Sequence, residues 1–416
     1  MPHIAIAGAG IAGLASAILL TRQGQQVTVF EQVADPTPVG AGLLLQPSGQ
    51  MMLQNLGLLD LVRDKAAIVH SLEGYSGSWK TLDLHYSAVQ QEWHGLGIHR
   101  AQLHSILWNC ACESGVNIQL GNGIVDFAQD QQQVVVKHQH GESLADGLII
   151  ANGTRSQLRD RLAIKRIHKP YPWGAYWAVL DRDDWPFPHI LMQRYRGAHI
   201  MLGILPTGIN PSTNKTCYSL FWSLPKSSFA DYQTAGMPGL IERIRAVWPE
   251  VAEWLASASS DTSIAIAEYA DVRLATYHQQ NVVVLGDAAH AMSPQLGQGA
   301  NMALIDATIL AQCLMPTSDF DKRDHLASAA VDNSYCPNIA QAFAQYSHRR
   351  SKHIAYYQMA SRIMTPLYQS RYSLGWLRDV GTVVGRHLPA VYRQYMLTLC
   401  GAKQGTWDLR AEIADL

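Results

Sequence analysis

The sequence predicts an α/β protein. A parallel-sheet domain built on an N-terminal βαβ unit is interrupted by a mainly antiparallel β domain, and a helical C-terminal region follows. Three observations carry this. A short apolar strand, His3 to Ala7, runs through the glycine-rich turn Gly8–Gly13 into a helix of small residues. From about residue 165 the segments become aromatic-rich and strand-like, separated by turn clusters. At 281–285 (NVVVL) a buried-type strand returns, so the first sheet resumes after the interruption.

The elements follow in order. Ile11 to Arg22 reads as a helix ending near Gly24, and Gln26 to Glu31 as a second strand. A Gly/Pro-rich loop, Pro36 to Pro47, precedes a helix over about Ser48 to Arg63. Residues 68–88 read as a hairpin, 95–99 as a strand, 101–113 as a helix and 117–138 as short β segments. Leu148 to Ala151 is a buried-type strand entering Asn152-Gly153. Ala175–Leu180, His189–Arg194, His199–Leu205 and Cys217–Leu224 form the second sheet, and Met237 to Trp254 a helix behind it. A helix over 299–314 follows the returning strand, and 338–400 is mostly helical, with breaks at Pro366, Gly375 and Gly381. The domains are expected at 1–165 (with the inserted hairpin near 68–100), 166–278, 279–335 for the resumed first domain, and 336–416 for the C-terminal helices.

Composition excludes several classes. The 416 residues are 48% hydrophobic and 16% charged, which argues against disorder. Lys+Arg 32 against Asp+Glu 33 leaves net charge −1, with no electrostatic footprint for nucleic acid. No stretch reaches about 18 uninterrupted apolar residues, so no transmembrane segment is expected. The first twenty residues lack a basic n-region and carry a glycine array, which rejects a signal peptide and implies the cytoplasm. The six cysteines, at 110, 112, 217, 313, 336 and 400, suit neither a disulfide framework nor a zinc site, and are read as reduced thiols. No metal site is expected. The basic and aromatic residues from Tyr346 to Arg378 read as packing helices with a solvated basic face.

Two motifs carry chemistry. Gly8-Ala9-Gly10-Ile11-Ala12-Gly13 has the GxGxxG spacing of a Rossmann-like dinucleotide-binding turn. Its glycines allow the tight turn, close backbone approach to a pyrophosphate, and close helix–strand packing. The helix start then presents free N–H groups at Ile11 and Ala12 and the positive dipole end. Glu31, 18 residues after Gly13, ends the second strand, where a carboxylate accepts hydrogen bonds from a ribose diol. The second motif is Val284-Leu285-Gly286-Asp287-Ala288-Ala289-His290, continuing to Pro294-Gln295-Leu296-Gly297-Gln298-Gly299-Ala300-Asn301. Asp287 at a strand end suits a ribityl hydroxyl, and Gly297 and Gly299 open a helix whose N–H groups suit a flavin ring or phosphate. His290 is read as structural, because it sits immediately after the Asp287 turn.

With these motifs, the chain resembles the para-hydroxybenzoate hydroxylase family, the single-component (group A) FAD-dependent aromatic monooxygenases. The family's third motif matches Ala151-Asn152-Gly153-Thr154-Arg155-Ser156-Gln157-Leu158-Arg159, with Asn152 where the family usually has Asp. The resemblance covers about residues 1–380. It implies FAD held by Gly8, Gly10, Ile11, Ala12, Gly13, Glu31, Gln32, Gly42, Leu43, Arg100, Val125, Asn152, Asp287, Gly297, Gly299, Ala300 and Asn301. Gly40-Ala41-Gly42-Leu43 with Gln46-Pro47 resembles the loop beside the flavin. The reaction it implies is hydroxylation of an aromatic or electron-rich small molecule through a C4a-hydroperoxyflavin, with O2 as co-substrate and NADH or NADPH as transient reductant. Asn keeps hydrogen-bonding capacity but loses the charge, which makes efficient use of NADH or NADPH less certain; the bland reading of Asn152 is a cap for the next helix.

On the substrate side, Tyr218, Leu220 and Trp222 share one strand face, and Tyr176 with Ala178, or Trp177 with Val179, share faces one strand earlier. Either set suits a planar ring. Tyr176, Tyr218 and Trp222 are taken as pocket residues together with Gln46, Gln193, Pro294 and Gln295. No acid–base pair stands out, so the catalytic residues are left unassigned. The competing readings are a flavoprotein of the same fold fed by reduced flavin or a partner, an oxidase or reductase acting on a quinone- or prenyl-type substrate, and a non-catalytic flavin-binding module. The Trp-x-Trp-x-Ile-Pro signature of flavin halogenases is absent.

Overall fold

The structure is a computed structural model, and it describes residues 1–36, 41–257, 264–315, 338–372 and 374–405. Gly40 and Cys336 lie outside the described residues.

The chain begins β1 His3–Ala7, α1 Ile11–Arg22 and β2 Gln26–Phe30, as the apolar run, glycine turn and second apolar run dictate. Next come β3 Gly42–Leu45, α2 Pro47–Asn55 and α3 Leu59–Arg63. The single helix expected over 48–63 is thus two, because Gly57 adopts φ +68 between them. Then follow β4 Ala67–Val69, β5 Ser71–Ser76, β6 Trp79–His85, β7 Gly95–His99 and α4 Arg100–Glu113. Four short strands, β8 Asn117–Gln119, β9 Ile124–Gln129, β10 Val134–His138 and β11 Gly141–Ala145, precede the buried β12 Gly147–Ile150. The long strands are β13 Arg166–Asp181, β14 Ile190–Arg196, β15 Ile200–Ile209 and β16 Thr216–Pro225. Helices α5 Phe229–Arg245 and α6 Pro249–Ala256 follow, then β17 Ile264–Leu274, β18 His278–Gln279 and β19 Val282–Val284. The expected helix over 237–254 does begin after Gly236, whose φ +59 and ψ −162 kink α5 in two, but it breaks before Pro249, which sits at the first turn of α6, where a missing N–H costs nothing. The chain closes with α7 Asp287–His290, α8 Gly299–Leu314, α9 Ile339–Tyr368, α10 Gly375–Gly385 and α11 Pro389–Leu399. Two expected breaks are not breaks. Pro366 lies near the end of α9, and Gly381 lies inside α10.

The first sheet has the order β18-β19-β12-β1-β2-β8, and β19, β12, β1, β2 and β8 run parallel. β19, nearly 280 residues from the start, pairs with β12, which in turn pairs with β1. The first sheet therefore does resume after the interruption. Its strands are buried on both faces, by α1 and α8 among others, which explains their continuous apolar runs.

The second sheet has the order β17-β13-β16-β15-β14-β5-β6. The hairpin β5–β6 joins it through parallel pairing of β5 with β14, so this sheet draws on chain from the first part of the sequence as well as on 166–274. Helices α5 and α6 cover one face, packing on Tyr176, Leu202, Ile204, Tyr218, Leu220 and Trp222. The opposite face carries Trp177, Phe221, Met201 and Leu205 and meets α9 and α11. A small sheet, β3-β7-β4, joins the two, with β7 and β15 in direct contact.

The expected solvated basic face over Tyr346–Arg378 holds only in part: His348 and Lys352 are exposed, but two arginines are not. Arg350 is fully buried, and Arg378 nearly so. Both satisfy buried carboxylate or carbonyl groups rather than solvent. The five described cysteines are free thiols. Among the described residues, no helix is long and apolar enough to cross a membrane.

Candidate active site

The N-terminal glycines divide into two kinds. Gly8 (φ +101) and Gly13 are packing positions: a Cβ on Gly13 would sit 2.0 Å from the Gly8 carbonyl oxygen, and one on Gly8 2.9 Å from Asn152 Cα. Gly10 is the opposite. It is the residue preceding α1, it is exposed, and a Cβ there would meet nothing within 4 Å. No side chain caps α1, and its first turn carries no acidic residue. Its N–H groups and positive dipole end therefore face open space, a setting suited to a diphosphate.

Glu31 stands beside this turn. Its Oε2 accepts from the Ala9 N–H at 2.9 Å and its Oε1 from the Val33 N–H at 2.9 Å. The segment Gly121–Val125 leans on the same strand end. Asn122 N–H donates to Glu31 O, and a Cβ on Gly123 would lie 2.7 Å from Gln32 Cβ. Gln32 and Val125 are both exposed at this end. Arg100 opens α4, exposed, with its N–H donating to Ala41 O. His104, one turn later, bonds Ala9 O at 2.9 Å. The glycine turn, Glu31 and the start of α4 thus form one rim.

The second motif meets the first directly. Gly286 takes φ +56, and a Cβ built on it would lie 3.1 Å from Ala12 Cβ in α1. Asp287 is exposed at the start of α7, and its Oδ1 lies 3.9 Å from where a Cβ on Gly299 would be. No side chain caps α8, so its first N–H groups, at Gly299, Ala300 and Asn301, open beside Asp287. The Asn301 side chain itself is consumed by the protein. It accepts from Gln46 N at 2.9 Å and donates to Leu44 O and Gly297 O. It thereby clamps the Leu43-bearing strand β3 onto the start of α8.

Behind this turn lies a buried charge network. Asp306 Oδ2 accepts from Gly286 N at 2.8 Å and from His290 Nε2 at 2.6 Å, and Arg350 Nε donates to Oδ1 at 2.7 Å. Burial pushes the Asp306 carboxyl up, but His290, Arg350 and the Gly286 N–H outweigh it and hold it below the ordinary carboxylate range. Arg350 Nη1 donates to His353 Nδ1, so His353 turns its Nε2–H to Gly401 O. His290 is thus a structural donor, as its place after the turn implies.

Asn152 follows β12 at the Gly8 turn. It does not cap a helix. The next helical turn begins at Arg159, seven residues on, and it is Ser156 Oγ that accepts from the Arg159 N–H. Arg159, nearly fully buried, ties this segment to α7 through Thr154 O and Ala288 O.

Gln46 marks the boundary between the two sheets. It is fully buried, and its Oε1 accepts from the Tyr86 hydroxyl at 2.7 Å. Its Nε2 has no partner and lies 3.9 Å from where a Cβ on Gly297 would be. The Gln295 Nε2, beside exposed Pro294, is also buried and unpartnered. Two orphaned amide donors next to an open helix start fit a planar group rich in carbonyl and ring-nitrogen acceptors.

The aromatic residues need correction. Tyr176, Tyr218 and Trp222 face away from this boundary: the Tyr176 hydroxyl donates to Phe229 O, Tyr218 packs on Trp254, and Trp222 on Tyr232. They are the core beneath α5 and α6. The alternative set is the one on the boundary side. Trp177 and Phe221 meet with ring centroids 5.3 Å apart and planes tilted by 42°, and Trp177 Nε1 donates to the Tyr269 hydroxyl at 3.3 Å. Burial pushes the Tyr269 hydroxyl up to about 12. Gln193 shares this face, accepting from the Tyr195 hydroxyl. Tyr86, Tyr269 and Phe221 had no signal in the sequence beyond strand alternation.

Comparison with known proteins decides the family. A family model described as FAD binding domain matches residues 2–323. The chain belongs to this family. It is 27% identical over 341 residues to a putative FAD-dependent monooxygenase, YetM, of Bacillus subtilis, covering 77% of this chain and 86% of the relative. It is 26% identical over 328 residues to 6-hydroxynicotinate 3-monooxygenase of Pseudomonas fluorescens, covering 75% and 82%. The fold matches that of Klebsiella pneumoniae HpxO, solved with FAD and uric acid, at a TM-score of 0.77 and 18% identity, over 95% of this chain and 97% of that one. This flavoprotein is an oxidoreductase of the FAD-dependent monooxygenase type.

Proposed function

We propose that the enzyme inserts one oxygen atom into an electron-rich aromatic ring, with NADH or NADPH as reductant: ring–H, O2, NAD(P)H and a proton become ring–OH, water and NAD(P)+. The observation that carries the reading is the buried, unpartnered Gln46 amide. It sits beside Gly297, just ahead of α8, on one side, and on the other its Oε1 bonds Tyr86, a member of the cluster that Trp177 and Phe221 also join.

The residues present fit FAD. Glu31 would hold the ribose hydroxyls, the start of α1 the diphosphate, Asp287 the ribityl chain, and the N–H groups of Gly299–Asn301 with the Gln46 and Gln295 amides the ring. When bound and reduced, FAD would supply the electrons that activate O2, and O2 the oxygen atom that is transferred. The protein's part is placement. Trp177 and Phe221 offer an aromatic wall for the substrate ring. The Tyr269 hydroxyl accepts from Trp177 and keeps its own proton to donate to an oxygen substituent on that ring. The apolar face between the sheets excludes water from the reacting atoms.

The test is a substrate screen on yellow, FAD-loaded protein. It reads NAD(P)H oxidation, O2 uptake and H2O2 release together. Substrate-stimulated NAD(P)H and O2 consumption without stoichiometric H2O2 supports the reading. Asn152 sustains one rival, electron supply by a partner or by free reduced flavin. Rapid mixing of the oxidised enzyme with NADH and NADPH, with and without the aromatic compounds of the screen, separates the two: fast flavin reduction rejects the rival, and no reduction by either under both conditions rejects the proposal.

A further inference from the structure

Helix α10 turns its polar side inward. Of its eleven residues only Gly375 and Arg378 are buried. A Cβ on Gly375 would lie 2.5 Å from the Gly197 carbonyl carbon, so the helix start rests on the turn between β14 and β15. The Arg378 guanidinium donates to Gly197 O at 3.0 Å and to Leu367 O at 3.4 Å, and it lies 4.2 Å from the centroid of the Tyr195 ring. Thr382, one turn on, donates back to Arg378 O. Gly381 and Gly385 line a cavity of about 190 Å3 between α10, β6, α9 and α11.

The opposite side of α10 is apolar and open. Trp376, Val380 and Val384 recur every fourth residue, so they form one stripe, and Leu377 stands beside it. They are 61%, 52%, 53% and 44% exposed, in that order. The stripe runs on into α11. Val391 Cγ1 lies 3.5 Å from where a Cβ on Gly385 would be, and both Val391 and Leu388 are exposed. Tyr372, also exposed, stands just ahead of the helix. Single apolar residues on a surface need no explanation, but a contiguous stripe marks a protein or membrane partner.

The charge around the stripe decides between the two. From Gln369 to Cys400 the chain carries four arginines, Arg371, Arg378, Arg386 and Arg393, and one acidic residue, Asp379. Asp379 is taken up by Arg378, accepting from its Nε and Nη2. Arg371 and Arg393 are exposed, and Arg386 donates its Nη1 to a backbone carbonyl, Lys80 O. The acids of the adjoining strands, Glu73 of β5 and Asp83 of β6, both bond Lys80. The whole chain has net charge −1, so this positive excess is local. A symmetric pair of copies joined through this face would bring the same arginines together. An anionic bilayer suits both features: it takes apolar side chains at the acyl boundary and attracts arginines to its headgroups. Trp376 and Tyr372 are the residue types that settle at that boundary. We propose that α10 and the start of α11 form a peripheral docking face for an anionic phospholipid membrane, with the apolar stripe entering the headgroup layer. The proposal stands apart from the reaction assigned above.

The test is co-sedimentation of the FAD-loaded enzyme with phosphatidylcholine vesicles, with and without about one-third phosphatidylglycerol. The expected result is binding to the anionic vesicles that weakens with added salt, and little binding to phosphatidylcholine alone. Val380→Asp combined with Val384→Asp abolishes it. Arg371→Gln weakens it roughly fivefold, the equivalent of about 1 kcal/mol for one arginine near a charged membrane surface. Leu61→Asp, at an exposed leucine on α3, is the control and binds as the unaltered enzyme does. Melting temperature and FAD content check that the variants are folded, and sedimentation velocity without lipid reads their oligomeric state. No binding to the anionic vesicles, equal binding to both kinds of vesicle, or binding retained by the double variant overturns the proposal. A dimer that the double variant dissolves, with no vesicle binding, also overturns it and assigns the face to a second copy.

Discussion

Gly286 lies against Ala12: a methyl built on Gly286 would come within 3.1 Å of the Ala12 side chain. Two motifs nearly 280 residues apart in the chain therefore share one backbone contact. The contact exists because β19 enters the parallel sheet beside β12 and delivers the Gly286–Asp287 turn to the start of α1.

Substituting these glycines should separate packing from binding. Gly286→Ala places a side chain at φ +56 and ψ −142, backbone reserved for glycine, and is expected to cost about 1–3 kcal/mol. Gly13→Ala forces the Gly8 carbonyl and α1 apart, at a similar cost of about 1–3 kcal/mol. Chemical denaturation of the two variants, with FAD content measured alongside, should show both losses together. Gly10→Ala, facing open space, should keep stability and lose FAD affinity.

Glu31→Gln replaces a carboxylate that accepts two N–H groups by an amide that accepts one. Hydrogen bonds to a charged group contribute about 1.5–3 kcal/mol each. The FAD dissociation constant is expected to rise at least roughly tenfold, since about 1.4 kcal/mol corresponds to that factor. Fluorescence titration of apoprotein checks it, and an unchanged affinity would remove Glu31 from the site.

The two faces of the large sheet should respond differently. Trp222→Ala opens the core under α5 and α6 and should cost about 3–5 kcal/mol without changing KM per folded enzyme. Phe221→Leu, on the opposite face, should raise KM several-fold with a smaller loss of stability. Steady-state kinetics together with thermal melts distinguish the outcomes, and a KM change confined to Trp222→Ala would restore the discarded face.

The buried network predicts acid sensitivity. Burial and Arg350 push His353 from 6.5 down to about 3, so the folded state holds it neutral. The unfolded chain takes up the proton first. The contribution is therefore complete above pH 6.5 and is lost as pH falls toward 3, by about 2 kcal/mol at pH 5. Asp306 is likewise depressed, so its contribution is lost only below the ordinary carboxylate range, near 3.8. Urea denaturation from pH 7 to pH 4 should show a larger loss in the unaltered enzyme than in His353→Gln, because burial also lowers His99 and His104, which remain in the variant.

Removing one charge of the buried pair should be worse than removing both. Arg350→Met leaves Asp306 with His290 and the Gly286 N–H alone, and is expected to cost about 3–5 kcal/mol. The double variant Arg350→Met with Asp306→Leu should recover part of this, as measured by denaturant midpoint.

Much of this architecture was legible because its signals are local. The glycine turn, Glu31 at a fixed distance and the NVVVL strand before Gly286-Asp287 need only short windows to read. Four features were not. Strand alternation separated Tyr176, Tyr218 and Trp222 from Trp177 and Phe221, but which face the helices cover is a tertiary fact. The β5–β6 hairpin gives no hint that it pairs with β14, more than a hundred residues away. Arg350 reads as one of several exposed cations because its partner, Asp306, is 44 residues away. Gly381, read as a helix break, sits inside α10, where its missing side chain shapes a cavity.

The most direct test is the stoichiometry of cofactor binding to apoprotein, followed by flavin fluorescence with ADP as competitor. One FAD per chain, displaced by ADP, is the predicted result, because the proposal assigns Glu31 and Asp287 to the two ends of one molecule. Simultaneous occupancy by FAD and ADP, or no FAD binding, would contradict the account.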